Sequence, residues 1–536
     1  MAMNEVMAGA DEVLQGIKRQ QVTGIPPKNM ETFTIKRNGT GSLKITVKTG
    51  HTVVADQVLC TCAGVRVVRK SEGIPQDIND GVTLFVHEGT DAYTYEDNGL
   101  TDGQTYYYRA FPFSDHGVYN LNEANVREAS PWPIKYWAFD QNFADKAPAT
   151  TITYPSGYEN SGFAAMLTNE GTGTATAGSW ASFLEDVLKN FPYMVRKDGT
   201  ADYMLDPDDY TLKAADGEAS DYNNLSYDGG AFAWINKILT REEYSSNGET
   251  RRVIFSDGDD GTGDFLPLGF EDGENVLEGI WLPMGYMDAN GRTLVAGTTP
   301  VASKTCDQEW AIIQAFSERA RFLGGPILNL LRDLEYMLFK NTDIQARAGH
   351  GRCNAGSQAV VANAVVPNGR VRGWKGTSDQ KTMNKYFHSQ LLGSYQQLTR
   401  DPYTLLIGGK LYAERYYRYN LNATGKTDTG ITWPTDSAWQ YPSRLQYLGE
   451  GLGSFPKHEN TGSSSTGLCD GVYGNASGTR VAHRLGYTNN ALIDGPAYVN
   501  LNNEASNANW NCGVGCAYLF STSFTVPRAF IYTPDG

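Results

Sequence analysis

From about Met30 onward the apolar residues of this chain recur at every second position, and no other pattern in it restricts the fold as tightly. In SLKITVK the alternating residues are Leu43, Ile45 and Val47. GVRVVRK and GVTLFVH repeat the pattern at intervals marked by turn residues, and NGLTDGQTYYYRAFPFS closes the set. A period of two sends successive side chains to opposite faces of an extended backbone, so each segment is a strand with one apolar face. Several such strands in series predict a β-sandwich over 28–130. Composition leans the same way, because 58 glycines and 31 tyrosines among 536 residues favour turn-dense β structure. At about 150 residues per domain, that length predicts roughly three or four domains.

The rest of the chain divides around this segment. Ahead of it, Val6, Met7, Ala10, Val13, Leu14 and Ile17 recur at three- and four-residue spacing, which predicts an amphipathic helix within 1–27, ended by GIPP. That helix either packs on its own domain or serves attachment and self-association. Inside the alternating segment, Leu100, Gly103 and Tyr106 of LTDGQTY resemble the tyrosine corner of fibronectin type III domains. The resemblance implies that the Tyr106 hydroxyl ties a loop to the sandwich, and that this domain is a spacer or binding module.

A connector rich in proline and aromatic residues is expected to act as a linker over 131–160, followed by a β-rich region over 161–300 dense in Asp-Gly and Asp-Pro turns. The acidic run with Asp257, Asp259, Asp260 and Asp264 lacks the spacing and terminal glutamate of an EF-hand loop and reads as a solvated surface loop. Two helices are expected next, one with Trp310, Ile313, Phe316 and Ala320 on one face, the other with Ile327, Leu331, Leu334 and Leu338. Beyond Gly349 the sequence reads as short strands and long loops.

Chemistry is sparse. The formal charge of −15 argues against nucleic-acid binding or an anionic membrane surface, and no apolar run reaches the roughly 18–20 residues needed to cross a bilayer. The acidic N-terminus does not read as a signal peptide. Seven cysteines without a CxxC pair predict reduced, semi-buried thiols, and seven scattered histidines predict no metal cluster. No nucleophile elbow, zinc-protease, phosphate-loop or dinucleotide motif is present, so no enzyme activity and no cofactor are expected.

Near the C-terminus the chain reads NLNNEASNANWNCGVGCAYLF, with six asparagines in its first twelve residues. Together with CDG (Cys469–Gly471), SGTRVA (Ser477–Ala482) and GPAYVNLNNEASNANWN, this stretch resembles the variable domains of phage receptor-binding proteins diversified by retroelements. It departs from them in two places. Leu485 stands before Gly486 where relatives carry two glycines, and Gly513, Val514 and Gly515 replace a glycine-hydrophobic-arginine ending. The resemblance implies a fold class that is multi-domain and mainly β with α+β parts: an N-terminal helix, a fibronectin-like sandwich, and a C-type-lectin-like domain over 301–536 of the formylglycine-generating-enzyme type.

The residues fit such a display surface. Alternation in AYVNLN turns Val499 and Leu501 to a core and leaves Tyr498, Asn500 and Asn502 on the other side. Tyrosine, tryptophan and asparagine are what binding loops use, combining rigid aromatic area with adaptable hydrogen bonding. Over 470–520 the expected ligand-binding residues are His483, Arg484, Tyr487, Asn489, Asn490, Tyr498, Asn500, Asn502, Asn503, Asn509, Trp510, Asn511 and Tyr518, with Trp510 and Tyr518 as anchors. The resemblance further implies a homotrimeric adhesin on the virion exterior, in a head or tail fibre, made in the host cytoplasm. Such a protein would bind a host cell-surface glycan or protein and attach to other virion proteins through its N-terminal region. The alternatives are a structural virion component and a carbohydrate-active enzyme.

Overall fold

The computed structural model describes residues 25–521, apart from 55–56, 170–173, 274, 294–296, 357–386, 396, 435–437 and 514–515. The helix expected within 1–27 lies outside the described residues. The chain forms two compact units rather than three or four: one runs to Lys135 and takes in Gly258–Phe265, and the other comprises Tyr136–Asp257 and the chain from Leu266 onward. Both are mainly β.

In the first unit seven strands follow the period-two segments: β1 (Thr32–Arg37), β2 (Ser42–Lys48), β3 (Cys62–Lys70), β4 (Val82–Glu88), β5 (Tyr93–Asn98), β6 (Tyr106–Ser114) and β7 (Val126–Ala129). They pair as a three-stranded sheet, β1-β2-β5, and a four-stranded sheet, β4-β3-β6-β7. Leu43, Ile45 and Val47 are fully buried between solvent-facing lysines and threonine, and they share one core with Val65, Val67, Tyr108 and Ala110 of the other sheet. A polar tie crosses that core. Asp97 on β5 accepts from Arg69 on β3 at 2.5 Å and from the Tyr108 hydroxyl on β6 at 2.9 Å. At the start of β6 the Tyr106 hydroxyl accepts from the Thr101 N–H at 3.1 Å, as the tyrosine-corner reading expects.

The second unit carries β8 (Tyr136–Asn142), β9 (Pro192–Arg196), β10 (Ala201–Met204), β11 (Gly229–Asn236), β12 (Leu239–Tyr244), β13 (Thr250–Ser256), β14 (Asn275–Pro283), β15 (Ala320–Phe322), β16 (Leu398–Ile407), β17 (Lys410–Ala413), β18 (Thr427–Thr432), β19 (Val472–Gly474), β20 (Thr479–Leu485), β21 (Gly495–Leu501), β22 (Cys512–Gly513) and β23 (Cys516–Ser521). β8 falls inside the expected linker and buries Trp137 and Phe139, so the connector is shorter than expected. Besides two short hairpins, these strands form three larger sheets. One runs Ile152–Thr153, β8, β13, β12; a second runs β10-β9-β11-β14-β23-β15; the third runs β18-β17-β16-β20-β21-β19, with β22 parallel to β16. A single apolar cluster draws residues from both 161–300 and 301–536, so these stretches are one folded unit.

Two helices pack into this core. The first, α1 (Cys306–Phe316), opens on a capping box in which the Thr305 hydroxyl accepts from the Gln308 N–H. It ends at Phe316, one turn earlier than expected, and Ala320 belongs to β15. The second, α2 (Pro326–Phe339), is buried on every side rather than on one stripe. Its adjacent Arg332 and Asp333 belong to a buried ion-pair network, whereas Glu335 keeps a buried oxygen without a hydrogen-bond partner. Asp333 takes Arg332 at 2.9 Å and Arg251 at 2.5 Å, and Arg251 also donates to Glu242 at 2.9 Å. Leaving any of these charges single inside the core would cost several kcal/mol. Among the described residues no helix is long and apolar enough to cross a membrane.

Candidate ligand-binding surface

β21 is an interior strand, flanked by β20 and β19. One face delivers Val499 and Leu501 to a cluster with Trp433, Phe455, Val472 and Ala482, as expected. The other face was expected to be open, and it is not. Tyr498 is fully buried against Leu398 and Cys512, with Trp439, Tyr487 and Ile493 packed over them, and Asn500 is only 9% exposed. Alternation shows that a strand has two faces; it does not show whether the second is covered.

His483 and Arg484 are also interior. His483 stands in register between Arg400 and Asn500, with its Nδ1 3.0 Å from the Val481 carbonyl. Burial, reinforced by the Arg400 charge, pushes its imidazole down to about 3, which keeps the ring neutral. Arg400 pairs with Glu309 at 2.7 Å, both side chains fully buried. Arg484 reaches Asp401 at 3.5 Å and Asn329 at 3.2 Å and lies over the Phe455 ring. These are framework groups rather than displayed ones. Asn503 is buried as well, its amide oxygen accepting from Asn507 at 3.1 Å. Tyr518 lies on β23, opposite Trp281 and Ala320 in the other large sheet, and its side chain falls outside the described residues.

The loop from Asn502 to Asn511 is held through its own carbonyls. Arg480 donates to Asn502 at 2.9 Å, the Val481 N–H to Asn503 at 3.0 Å, and the Cys306 N–H to Ala505 at 2.8 Å. Arg400 donates to Asn507 at 2.6 Å, the Ser303 N–H to Asn509 at 3.1 Å, and the Leu398 N–H to Asn511 at 2.8 Å. Main-chain anchors of this kind are indifferent to the side chains the loop carries. Just before the loop, the Asn500 amide oxygen caps the Asn502 N–H at 2.9 Å.

What this frame presents is smaller than the expected set. Asn489 and Asn509 are exposed, and Tyr487, Asn490, Asn502, Trp510 and Asn511 are half-buried. The Tyr487 and Trp510 rings meet edge to face at 6.0 Å. Asn490 donates to the Tyr498 hydroxyl at 2.9 Å. Two residues were missed: half-buried Trp439 contacts Tyr473 at 5.1 Å and Tyr498 at 5.6 Å. The parallel pairing of β19 with β21 sets Tyr473 beside Asn500, and the bridge of Gln440 to Val472 brings Trp439 alongside. No local signal announces such a pairing.

Beneath the surface lie two buried carboxyls, Asp470 and Asp494, both pushed well above the usual carboxylate range by burial. Asp470 accepts from the Ala497 N–H at 2.7 Å. A Cβ on Gly486 would stand 1.9 Å from the Asp494 carboxylate, and one on Gly495 2.2 Å from that of Asp470. Leu485, which replaces the first glycine of the resembled pattern, has φ +75°, a conformation glycine adopts freely and leucine does not. Among the described residues no group of three or more histidine, cysteine or acidic side chains could hold a metal ion. Comparison with known proteins returned no matching family model and no matching curated protein.

Proposed function

We propose that this chain is a virion-borne adhesin, a receptor-binding protein whose Tyr487–Trp510 surface binds a glycan or protein on the host cell. The observation that carries the reading is the edge-to-face meeting of these half-exposed rings, with Asn489 and Asn509 exposed nearby in sequence and Trp510 on a loop fixed through its main chain. Rigid aromatic area and adaptable amides are the composition of binding loops, and a fixed frame lowers the entropy cost of binding. The three-plus-four strand order and the Tyr106 hydrogen bond support a fibronectin-like spacer. The positive φ at Leu485, where the lectin-like variable domains carry glycine, supports that part of the resemblance. The N-terminal region would attach the chain to other virion proteins and assemble a trimer, adding avidity to weak single sites.

The test is binding of the labelled full chain to a panel of bacterial isolates. On any isolate that retains the wild-type protein, Tyr487→Ala with Trp510→Ala should abolish retention while the melting temperature stays close to that of the wild type. Undiminished retention by a folded double variant sinks the proposal. Light scattering of the same sample checks the trimer.

A further inference from the structure

A second pair of aromatic rings stands in solvent elsewhere on the larger unit. Tyr244, at the end of β12, is 37% exposed, and Tyr447 is 47% exposed. Their ring centroids lie 6.4 Å apart, tilted at 59°. Tyr447 sits in the short hairpin of Leu445–Gly449 with Gly453–Pro456, directly opposite Ser454. Each ring forgoes part of the roughly 1.5–3 kcal/mol that full burial of a large apolar side chain gives, and together the two leave aromatic surface open to a ligand.

The pair is also held from below. The Tyr244 hydroxyl is 2.7 Å from Ser454 Oγ, and Ser454 donates its only proton to Glu242 at 2.5 Å. Tyr244 must therefore donate inward, to Ser454 or to the Glu242 carboxylate 3.3 Å away. Glu242 is fixed in turn by fully buried Arg251 at 2.9 Å, and its second oxygen is a buried acceptor without a hydrogen-bond partner. The Tyr244 oxygen is thus left with lone pairs that can only accept, beside a rigid ring face. On the rim, Arg415 is clamped by Glu271 at 2.6 and 2.9 Å and reaches Glu450 at 3.9 Å, so this positive charge is already compensated.

From this arrangement we infer that Tyr244 and Tyr447 form a second binding site, which takes a pyranose unit of a neutral polysaccharide. A pyranose offers a C–H face for the two rings and hydroxyl donors for the Tyr244 oxygen. An anionic polymer is disfavoured by the chain's charge of −15 and by the paired state of Arg415. Two rings fall far short of the roughly 800 Å² per partner of a stable protein interface but match one or two sugar units. The site shares no residue with the Tyr487–Trp510 surface and does not depend on its role.

The experiment is calorimetric titration of the full chain with three probes: cellohexaose, mannohexaose and maltohexaose. At least one should bind. Tyr447→Ala, melting as the wild type does, should weaken that probe by about tenfold or more, corresponding to about 1.4 kcal/mol, while Tyr447→Phe stays within about twofold. Tyr244→Phe, which removes the acceptor and keeps the ring, should weaken it by about three- to tenfold. Trp510→Ala should leave it unchanged. Failure of all three probes to bind, unaltered binding by Tyr447→Ala, or loss through Trp510→Ala instead would overturn the inference.

Discussion

At the residue scale, the turn between β20 and β21 concentrates conformational demand. Gly486 has φ +106° and no room for a Cβ beside Asp494, so Gly486→Ala should destabilise the chain by more than about 2 kcal/mol in urea unfolding, through clash and backbone strain together. Leu485→Gly sets two effects against each other. Relief of the left-handed conformation is worth about 1–2 kcal/mol, whereas deleting a leucine only 3% exposed costs about 2–5 kcal/mol. The second wins, so the variant should be less stable although it restores the resembled pattern. In the other unit, Tyr106→Phe should cost about 1 kcal/mol by removing the acceptor for the Thr101 N–H. Tyr106 was legible in the sequence because its partner lies five residues away. The burial of Tyr498 was not, because Leu398 and Cys512 reach it only through tertiary pairing.

At the element scale, the loop from Asn502 to Asn511 separates what holds it from what it shows. Replacing Asn489, Asn509 or Asn511 by serine should change stability by no more than about 0.5 kcal/mol in chemical denaturation. Arg400→Met should instead cost about 3–5 kcal/mol, since it strands the buried Glu309 carboxylate and frees the Asn507 and Lys304 carbonyls. Adding Glu309→Leu should recover much of that loss, and a double-mutant cycle measures the coupling. The limits of pattern reading show here too. Period two placed β2 and β21 correctly as strands, but it could not tell a sheet interior from an edge. Helical spacing found α1 and α2, yet a three-residue strand claimed Ala320, and surrounding sheets covered the polar side of α2.

At the scale of the whole molecule, stability should depend on pH through His483. Its ordinary value near 6.5 falls to about 3 in the fold, so between those limits the unfolded chain binds the extra proton. The contribution is fully present above about pH 6.5 and is lost as pH falls toward 3. Relative to His483→Gln, the wild type should therefore lose on the order of 3 kcal/mol of unfolding free energy between pH 7 and 4. Urea midpoints of both proteins at these two pH values check the sign. Domain organisation was legible only in part. The alternating strands of the first unit announced themselves, but the acidic loop gave no sign that Gly258–Phe265 belongs with them, where Lys36 meets Asp259 at 3.3 Å.

That loop has a consequence for how the protein comes apart. The polypeptide passes between its two units three times, at Lys135–Tyr136, at Asp257–Gly258 and at Phe265–Leu266. A protease cutting only the first crossing would leave Gly258–Phe265, which groups with the N-terminal unit, on the piece that carries the other unit. The eight residues from Gly258 to Phe265 thus belong to the larger unit by chain connection and to the smaller one by packing.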